Sequence, residues 1–209
     1  ACVVFPSTAK VHLLKSKRLY LLLAVVILLG YSVVGYLQGQ KPPVPAVRSE
    51  GVPVGYAFVT MMHDVMSAQL DSFGGWLPND LWLTPGWVVD NKPNFQLGVL
   101  QVERHTARVL RDNLTRQRTS DAVHKQTDLA FTGFSNDPRK WAFPSAEGRY
   151  SNGADALSAF SADLDQGGNF YPRADNLIQL VEIYVSELGA VTTQLLSARD
   201  SSKVAWAQV

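Results

Sequence analysis

Apolar residues occur along this chain in one continuous run and then in several stretches with helical spacing. The run from Leu19 to Leu37 reads LYLLLAVVILLGYSVVGYL, about the length that an α-helix needs to cross a bilayer core. Because backbone polar groups in lipid must be bonded within their own segment, we predict a transmembrane helix over residues 19–40. A cleaved signal peptide is the main alternative, but its apolar core is shorter, roughly 7–15 residues.

Helical spacing of apolar positions predicts five further helices after the run. They cover about residues 56–73, 91–118, 121–131, 145–164 and 173–195. The stripe expected to face the core on the second of these is Phe95, Val99, Val102, Thr106 and Val109, with Leu110 and Leu114 adjoining it. The last helix carries a heptad seam, which is Leu177, Val181, Tyr184, Leu188, Val191 and Leu195.

The fold class predicted from these patterns is all-α, because no stretch alternates with period two for long enough to form a sheet. One N-terminal transmembrane helix precedes a bundle of about four to five helices with a long Trp- and Pro-rich loop. The predicted segments are a basic cytoplasmic end (1–18), the membrane helix (19–40), a Pro-rich spacer (41–54), a helical domain (55–200) and a tail (201–209).

Charge divides the chain at the apolar run and predicts its orientation. Residues 1–40 contain four basic and no acidic residues, a formal charge of +4, whereas residues 41–209 contain 15 basic and 18 acidic residues, a charge of −3. Since basic residues favour the cytoplasmic side of a span, we expect the N-terminus inside and residues 41–209 outside. In a Gram-negative bacterium, this would be an inner-membrane protein with residues 41–209 in the periplasm. Cys2, the only cysteine, then lies on the reducing side.

Composition excludes several classes without indicating an activity. With 46% hydrophobic and 18% charged residues, the chain is neither disordered throughout nor collagen-like nor a disulfide scaffold. The acidic exported part also argues against a nucleic-acid partner. We expect no cofactor, because no Walker or dinucleotide-binding glycine pattern occurs.

Three blocks of sequence resemble one family of bacterial single-span membrane proteins, the domain of unknown function DUF2333. They are Asn91-Lys92-Pro93 followed by residues 95–122, residues 136–150 (NDPRKWAFPSAEGRY) and residues 170–177 (FYPRADNL). The resemblance implies a short cytoplasmic end, one membrane helix and a helical periplasmic domain, with no catalytic residue to carry over. It also implies that this chain is a fragment, since family members continue past the position of Val209.

Arg104, Arg108 and Arg111 share one face of the second predicted helix of the domain, at i, i+4 and i+7. Guanidinium groups bind phosphate and carboxylate bidentately, so this row predicts a site for an anion or an acidic partner. The alternative is pairing within the protein, with Asp121, Asp128 or acidic residues of another helix.

Trp76, Trp82 and Trp87 lie in the loop of residues 75–90 and predict either a platform for a ligand or partner, or a cover that closes the core. Asp80 and Asp90 flank this loop, and a hydrolase would use one of them as its acid. Both are also ordinary turn and cap residues.

The histidines do not indicate a metal site, because His63-Asp64 and His105 with Glu103 lack the HExxH spacing. Our first hypothesis is therefore a non-enzymatic envelope protein whose domain binds a protein partner or a second copy of the chain. The rival hypotheses are a hydrolase of cell wall or lipid that uses the Trp loop as its cleft, and an anion sensor that uses the three arginines.

Overall fold

The computed structural model describes residues 8–47, 50–118 and 120–207, and within them the fold is all-α, as predicted. Cys2 and the last two residues of the predicted tail lie outside this part of the chain. The helices are α1 (Thr8–Gln38), α2 (Tyr56–Asp71), α3 (Pro85–Val88), α4 (Asn91–Val109), α5 (Lys125–Phe134), α6 (Ala146–Asp165) and α7 (Ala174–Ala207). A 3-10 turn forms at Leu77–Asn79, and α4 continues into a π-helical turn at Leu110–Leu114.

Helix α1 contains the apolar run in its C-terminal two thirds. Residues Leu19–Gln38 have a mean hydropathy of 2.2, and none of this stretch is buried by the rest of the chain. It is long and apolar enough to cross a membrane, a property that an N-terminal signal sequence shares. The helix begins well before the predicted residue 19, since the basic segment continues the same helix.

Four helices, α2, α4, α5 and α6, enclose the core. Helices α5 and α6 approach closely at two glycines, because a Cβ added at Gly133 would lie 2.7 Å from the carbonyl oxygen of Arg149 and 3.0 Å from the Cα of Gly153. The largest fully buried apolar side chains are Trp76, Tyr150, Phe134, Phe160, Met66, Leu100, Leu110, Leu114, Leu157 and Leu164.

The stripe predicted for the core face of α4 is partly wrong. Phe95 and Val102 are exposed, whereas the face turned inward carries Lys92, Gln96 and Glu103 with Leu100 and Ala107. Polar residues occupy buried positions on this helix, so apolar periodicity indicated a face rotated away from the true one.

The boundary between α4 and α5 also differs from the prediction. The helix does not reach Arg118 but ends at the π-helical turn, where the Thr115 N–H donates to the Leu110 carbonyl oxygen. The next helix does not begin at the predicted residue 121 but at Lys125, and the Asp121 carboxylate accepts a hydrogen bond from the Arg118 N–H within the connecting turn (2.7 Å).

The domain lies directly against the C-terminal end of α1. A Cβ added at Gly74, just after α2, would lie 2.8 Å from Gln38 Cγ, and Lys41 Nζ lies 5.1 Å from the centroid of the Phe95 ring. Gly55, which precedes α2, packs instead against Phe170 at the other end of the domain. The domain therefore lies directly beside the end of α1, and a role of residues 41–54 as a spacer stays a prediction.

Helix α7 runs antiparallel to α4. Gln179 accepts a hydrogen bond from Asn113 near the end of the α4 segment, and Glu187, further along α7, lies 3.5 Å from His105. Only the first half of α7 packs on the core, mainly through Leu180, Ile183 and Tyr184.

Candidate functional site

The three tryptophans of the predicted platform lie in two different environments. Trp76 is fully buried: its indole N–H donates to the Pro138 carbonyl oxygen (2.9 Å), and its ring packs edge-on against Tyr150 with centroids 4.9 Å apart. Trp82 and Trp87 are 72% and 61% exposed. The three rings therefore form no common platform, and only two of them are available to a partner.

A buried glutamine holds the chain where the loop leaves the core. Gln96 Oε1 accepts from the Leu77 N–H (3.0 Å), and its Nε2 donates to the Gly75 carbonyl oxygen (2.9 Å). Glu147, at the start of α6, accepts from the Trp76 N–H (3.2 Å). Side chains of α4 and α6 thus satisfy the backbone of this irregular segment, which a buried loop requires.

Lys92 lies beside this segment and is completely buried. Its Nζ donates to the Phe73 carbonyl oxygen (2.8 Å). Burial lowers the pKa of Lys92, and the neighbouring Asp80 carboxylate partly opposes that shift. A buried cation with a backbone acceptor and a nearby carboxylate fixes the junction between α2 and α4.

The two carboxylates that flank the loop have separate local roles. Asp80 Oδ2 accepts from Thr84 Oγ1 (3.2 Å) and would lie 2.1 Å from a Cβ added at Gly86, so it shapes the turn into α3. Burial raises the pKa of Asp80. Asp90 is exposed and accepts from Asn94 Nδ2 (2.6 Å) at the start of α4. Asp80 thus has a turn contact, whereas the Asp90 carboxylate makes no capping hydrogen bond to the α4 backbone. Catalysis by either residue stays a prediction.

Helix α3 and its flanking residues pack on one face of α1. The Tyr31 hydroxyl donates to the Thr84 carbonyl oxygen (3.0 Å), and a Cβ added at Gly35 would lie 3.7 Å from Pro85 Cβ. At Gly39 the added Cβ would lie 3.3 Å from Val89 Cγ1. Sequence reasoning missed this contact, although small residues spaced by four positions on an apolar helix are its usual signal.

Two of the three arginines are bound within the protein. Arg104 Nε and Nη2 donate to the carbonyl oxygens of Phe134 and Asn136, so this side chain caps the C-terminal end of α5. Arg111 is bidentate to Asp112, at 2.8 and 3.1 Å.

Arg111 also contacts α5. Its Nη1 lies 3.4 Å from Asp128 Oδ1, and its guanidinium carbon lies 4.0 Å from the centroid of the Phe131 ring. Arg108 is exposed and lies 5.6 Å from the same ring. Anion binding by the row stays a prediction, in which Arg108 is the residue that reaches solvent.

A groove of about 580 Å³ between α2 and α6 contains an unpredicted row of polar side chains. His63 Nδ1 lies 2.8 Å from Asp64 Oδ1, and Ser67 Oγ lies 3.4 Å from His63 Nε2. The arrangement has the connectivity of a hydrolase triad, but the groove is also lined by three acidic residues, Asp71, Glu147 and Asp155. Their charge opposes the oxyanion that a serine hydrolase must stabilise, so the row alone does not indicate catalysis.

In the described part of the chain, no three His, Cys, Asp or Glu side chains are arranged so that they could hold a metal ion. His105 contacts Gln101 (2.9 Å) and Glu187 (3.5 Å). Glu103, its neighbour in the sequence, faces the core instead of this pair.

Glu103 is 4% exposed, and its Oε2 has no hydrogen-bond partner among the described residues. Burial raises its pKa to about 8, which keeps the carboxyl protonated near neutral pH. It lies near Tyr184 of α7, whose hydroxyl is hydrogen-bonded to Thr106.

The outward face of α7 carries an apolar stripe that the described chain leaves uncovered. Five of its side chains are 56–68% exposed, and Thr192 is exposed as well. The stripe is Ile178, Val181, Val185, Leu188, Thr192 and Leu195, with gaps of 3, 4, 3, 4 and 3 residues. It differs from the predicted seam, because Tyr184 packs inward on the core.

Comparison with known proteins gives a family and no activity. A family model described as an uncharacterized protein conserved in bacteria (DUF2333) matches residues 13–208. The match lends no support to the expectation that the chain lacks a C-terminal part. No curated protein matches the chain. Nor does any solved structure.

Proposed function

Since the chain belongs to the DUF2333 family, whose description names no activity, we propose a function from its own residues: a single-span membrane protein of the bacterial envelope whose domain assembles with a second copy through α7. In this proposal the protein is a scaffold and not an enzyme. The stripe on α7 is the observation that carries it.

Retention of α1 in the mature protein is supported by its contacts with the domain. Tyr31, Gly35 and Gly39 lie on one face of the helix and pack against residues 84–89. Cleavage of α1 as a signal peptide would remove these contacts and expose the loop backbone. The four basic residues before Leu19 favour a cytoplasmic N-terminus, and hence a periplasmic domain.

A second copy fits the stripe because of its residue types. In heptad notation, positions a are Ile178, Val185 and Thr192, all β-branched, and positions d are Val181, Leu188 and Leu195. β-Branched residues at a with leucine at d favour parallel two-stranded coiled coils.

Membrane anchoring also favours a parallel pair. In this proposal α7 runs along the membrane normal. Two copies anchored in one membrane by α1 are then related by a two-fold axis along the same normal, which makes their α7 helices parallel. Neighbouring apolar residues at the coiled-coil edges, Leu177, Val191 and Leu196, are 37–49% exposed and would widen the contact.

Disulfide trapping in native membranes tests this assembly. In a Cys2→Ser background, Leu188→Cys places a thiol at a d position, where the two copies of a parallel coiled coil approach. The matched control is Ser186→Cys, because Ser186 is exposed on the same helix but lies off the stripe. We expect mild oxidation to convert L188C to a covalent dimer and to leave S186C monomeric.

Equal yields of dimer from the two variants would contradict the proposal. As an independent measurement, Val185→Asp with Leu188→Asp should convert a detergent-solubilised dimer to a monomer in light scattering while the circular dichroism stays unchanged. A wild-type chain that is monomeric in light scattering, together with an L188C variant that forms no covalent dimer, would overturn the assembly, whatever the fate of α1.

A further inference from the structure

The connection between α2 and α4 carries a second apolar surface that the described chain leaves uncovered. Residues 81–89 read LWLTPGWVV and contain no charge, and Asp80 and Asp90 bound them. The five large side chains are 53–72% exposed, and they are Leu81, Trp82, Leu83, Trp87 and Val88. So many neighbouring apolar side chains are not expected in contact with water.

The height of this surface along α1 is defined by a hydrogen bond. The Tyr31 hydroxyl donates to the carbonyl oxygen of Thr84 (3.0 Å), in the middle of the uncharged segment. Tyr31 precedes the end of α1 at Gln38 by seven residues, or about 10 Å along the helix axis. Half of a bilayer core is about 15 Å thick, so the segment lies at the level of the outer leaflet when α1 spans the membrane.

Close packing holds the segment at this level. Gly35 and Gly39 are one turn apart and face Pro85 and Val89, and a Cβ added at Gly39 would be in tight contact with Val89 Cγ1, at 3.3 Å. Together with the Tyr31 contact, they form one continuous face of α1 that α3 covers. The apolar side chains of the segment are left on its exposed side.

Several backbone groups of the segment are bonded within it or to α1, the arrangement that a lipid environment requires. The Thr84 N–H donates to the Leu81 carbonyl oxygen (2.9 Å), which also accepts from Thr84 Oγ1 (2.7 Å). The Trp87 N–H donates to the Thr84 carbonyl oxygen (3.2 Å), which Tyr31 also contacts. Short helical turns with two tryptophans are suited to the boundary between headgroups and acyl chains.

We propose that residues 81–88 are embedded in the outer leaflet beside α1 and form a second contact of the protein with lipid acyl chains. This contact rests on the proposed membrane span. It fixes the domain against the membrane surface, with Asp80 and Asp90 at the aqueous boundary, so that α7 is presented at a set orientation to a second copy.

Depth-dependent fluorescence quenching tests this contact in vesicles of phosphatidylcholine and phosphatidylglycerol. The full chain, with Cys2→Ser, carries one cysteine-linked fluorophore at position 83, in place of Leu83. Two control probes replace Leu28, within α1, and Val123, exposed in the connection between α4 and α5. We expect doxyl-labelled acyl chains to quench positions 83 and 28 about twofold or more, and aqueous iodide to quench position 123 alone.

The outcomes separate the two proposals. Quenching of position 83 by iodide, with position 28 quenched by doxyl lipid, would overturn the embedded loop and leave the span intact. If iodide quenches position 28 as well, the span itself is wrong and the loop contact fails with it. In the unlabelled chain, doxyl lipid should quench tryptophan emission, and Trp82→Phe with Trp87→Phe should remove most of that quenching; an unchanged quenched fraction would count against the contact.

Discussion

The core, the loop at residues 81–88 and the stripe on α7 are all rich in large apolar side chains, but the described chain covers only the core. The core between α2, α4, α5 and α6 buries Trp76, Phe134 and Phe160 completely. The loop at residues 81–88 and the stripe on α7 have residues of the same types and leave them more than half exposed. Apolar character alone therefore does not distinguish a core from a contact surface in this chain.

Polar residues show the reverse difference. The core includes Lys92, Gln96 and Glu103, whereas residues 81–89 and the six stripe positions contain no charge. Lys92 and Gln96 are tolerated inside because they bind backbone groups of the loop that follows α2. The uncovered surfaces have no such internal role, which is why we assign them to lipid and to a second copy.

The largest expected effect contrasts two tryptophans of the same loop. Trp76→Ala should lower the free energy of unfolding by about 3–5 kcal/mol, because it creates a cavity and removes the partner of the Pro138 carbonyl. Trp82→Ala, at an exposed position, should change it by about 0.5 kcal/mol or less. Chemical denaturation of both variants in detergent micelles measures the difference, and equal losses would break the distinction between core and surface.

The second effect depends on pH. The pKa of Glu103 is about 8 in the folded protein and 4.5 when unfolded, so the unfolded chain binds fewer protons between these values and stability falls as pH rises. From pH 5 to 7, the titration of Glu103 alone should lower the free energy of unfolding by about 2–3 kcal/mol.

Glu103→Gln keeps the shape of the side chain and removes its titration. The variant should lack this part of the decline. The free energy of unfolding of the variant minus that of the wild type should therefore increase as pH rises over that window. A difference that stays constant with pH would show that Glu103 is ionised or solvated in the folded state.

The smallest effect concerns the arginines. Arg104→Ala should destabilise the domain by about 1–2 kcal/mol, since it leaves the carbonyl groups at the end of α5 with fewer donors. Arg108→Ala, exposed on the same helix face, should change stability by about 0.5 kcal/mol or less. Thermal unfolding of the two variants checks this ranking, and a larger loss for Arg108→Ala would contradict it.

Much of the fold could be predicted from apolar periodicity. Helices α2 and α6 lie close to their predicted bounds, because their buried faces carry apolar residues such as Val59, Met66 and Leu157 at helical spacing. The chain was also correctly expected to be all-α, with one apolar helix near its N-terminus.

The errors arose where a local pattern was satisfied by another contact. On α4 the polar Lys92 and Gln96 face inward because backbone groups of the loop after α2 are their hydrogen-bond partners. Apolar periodicity does not show that this loop packs against α4. On α7 both faces carry apolar residues. The predicted seam therefore included Tyr184, which belongs to the inner face, together with residues of the outer stripe. Two of the three tryptophans and one of the three arginines remain accessible, a division that depends on tertiary contacts alone.

Spin labels at positions 83 and 188 in membranes test most directly whether the uncovered apolar surfaces have different occupants. If residues 81–88 are embedded in lipid, we expect the label at 83 to collide with oxygen dissolved in lipid and to be shielded from an aqueous nickel chelate. We also expect the label at 188 to show dipolar broadening from a second copy, while the label at 83 shows none. Free access of the nickel chelate to both positions, without broadening at 188, would contradict both expectations.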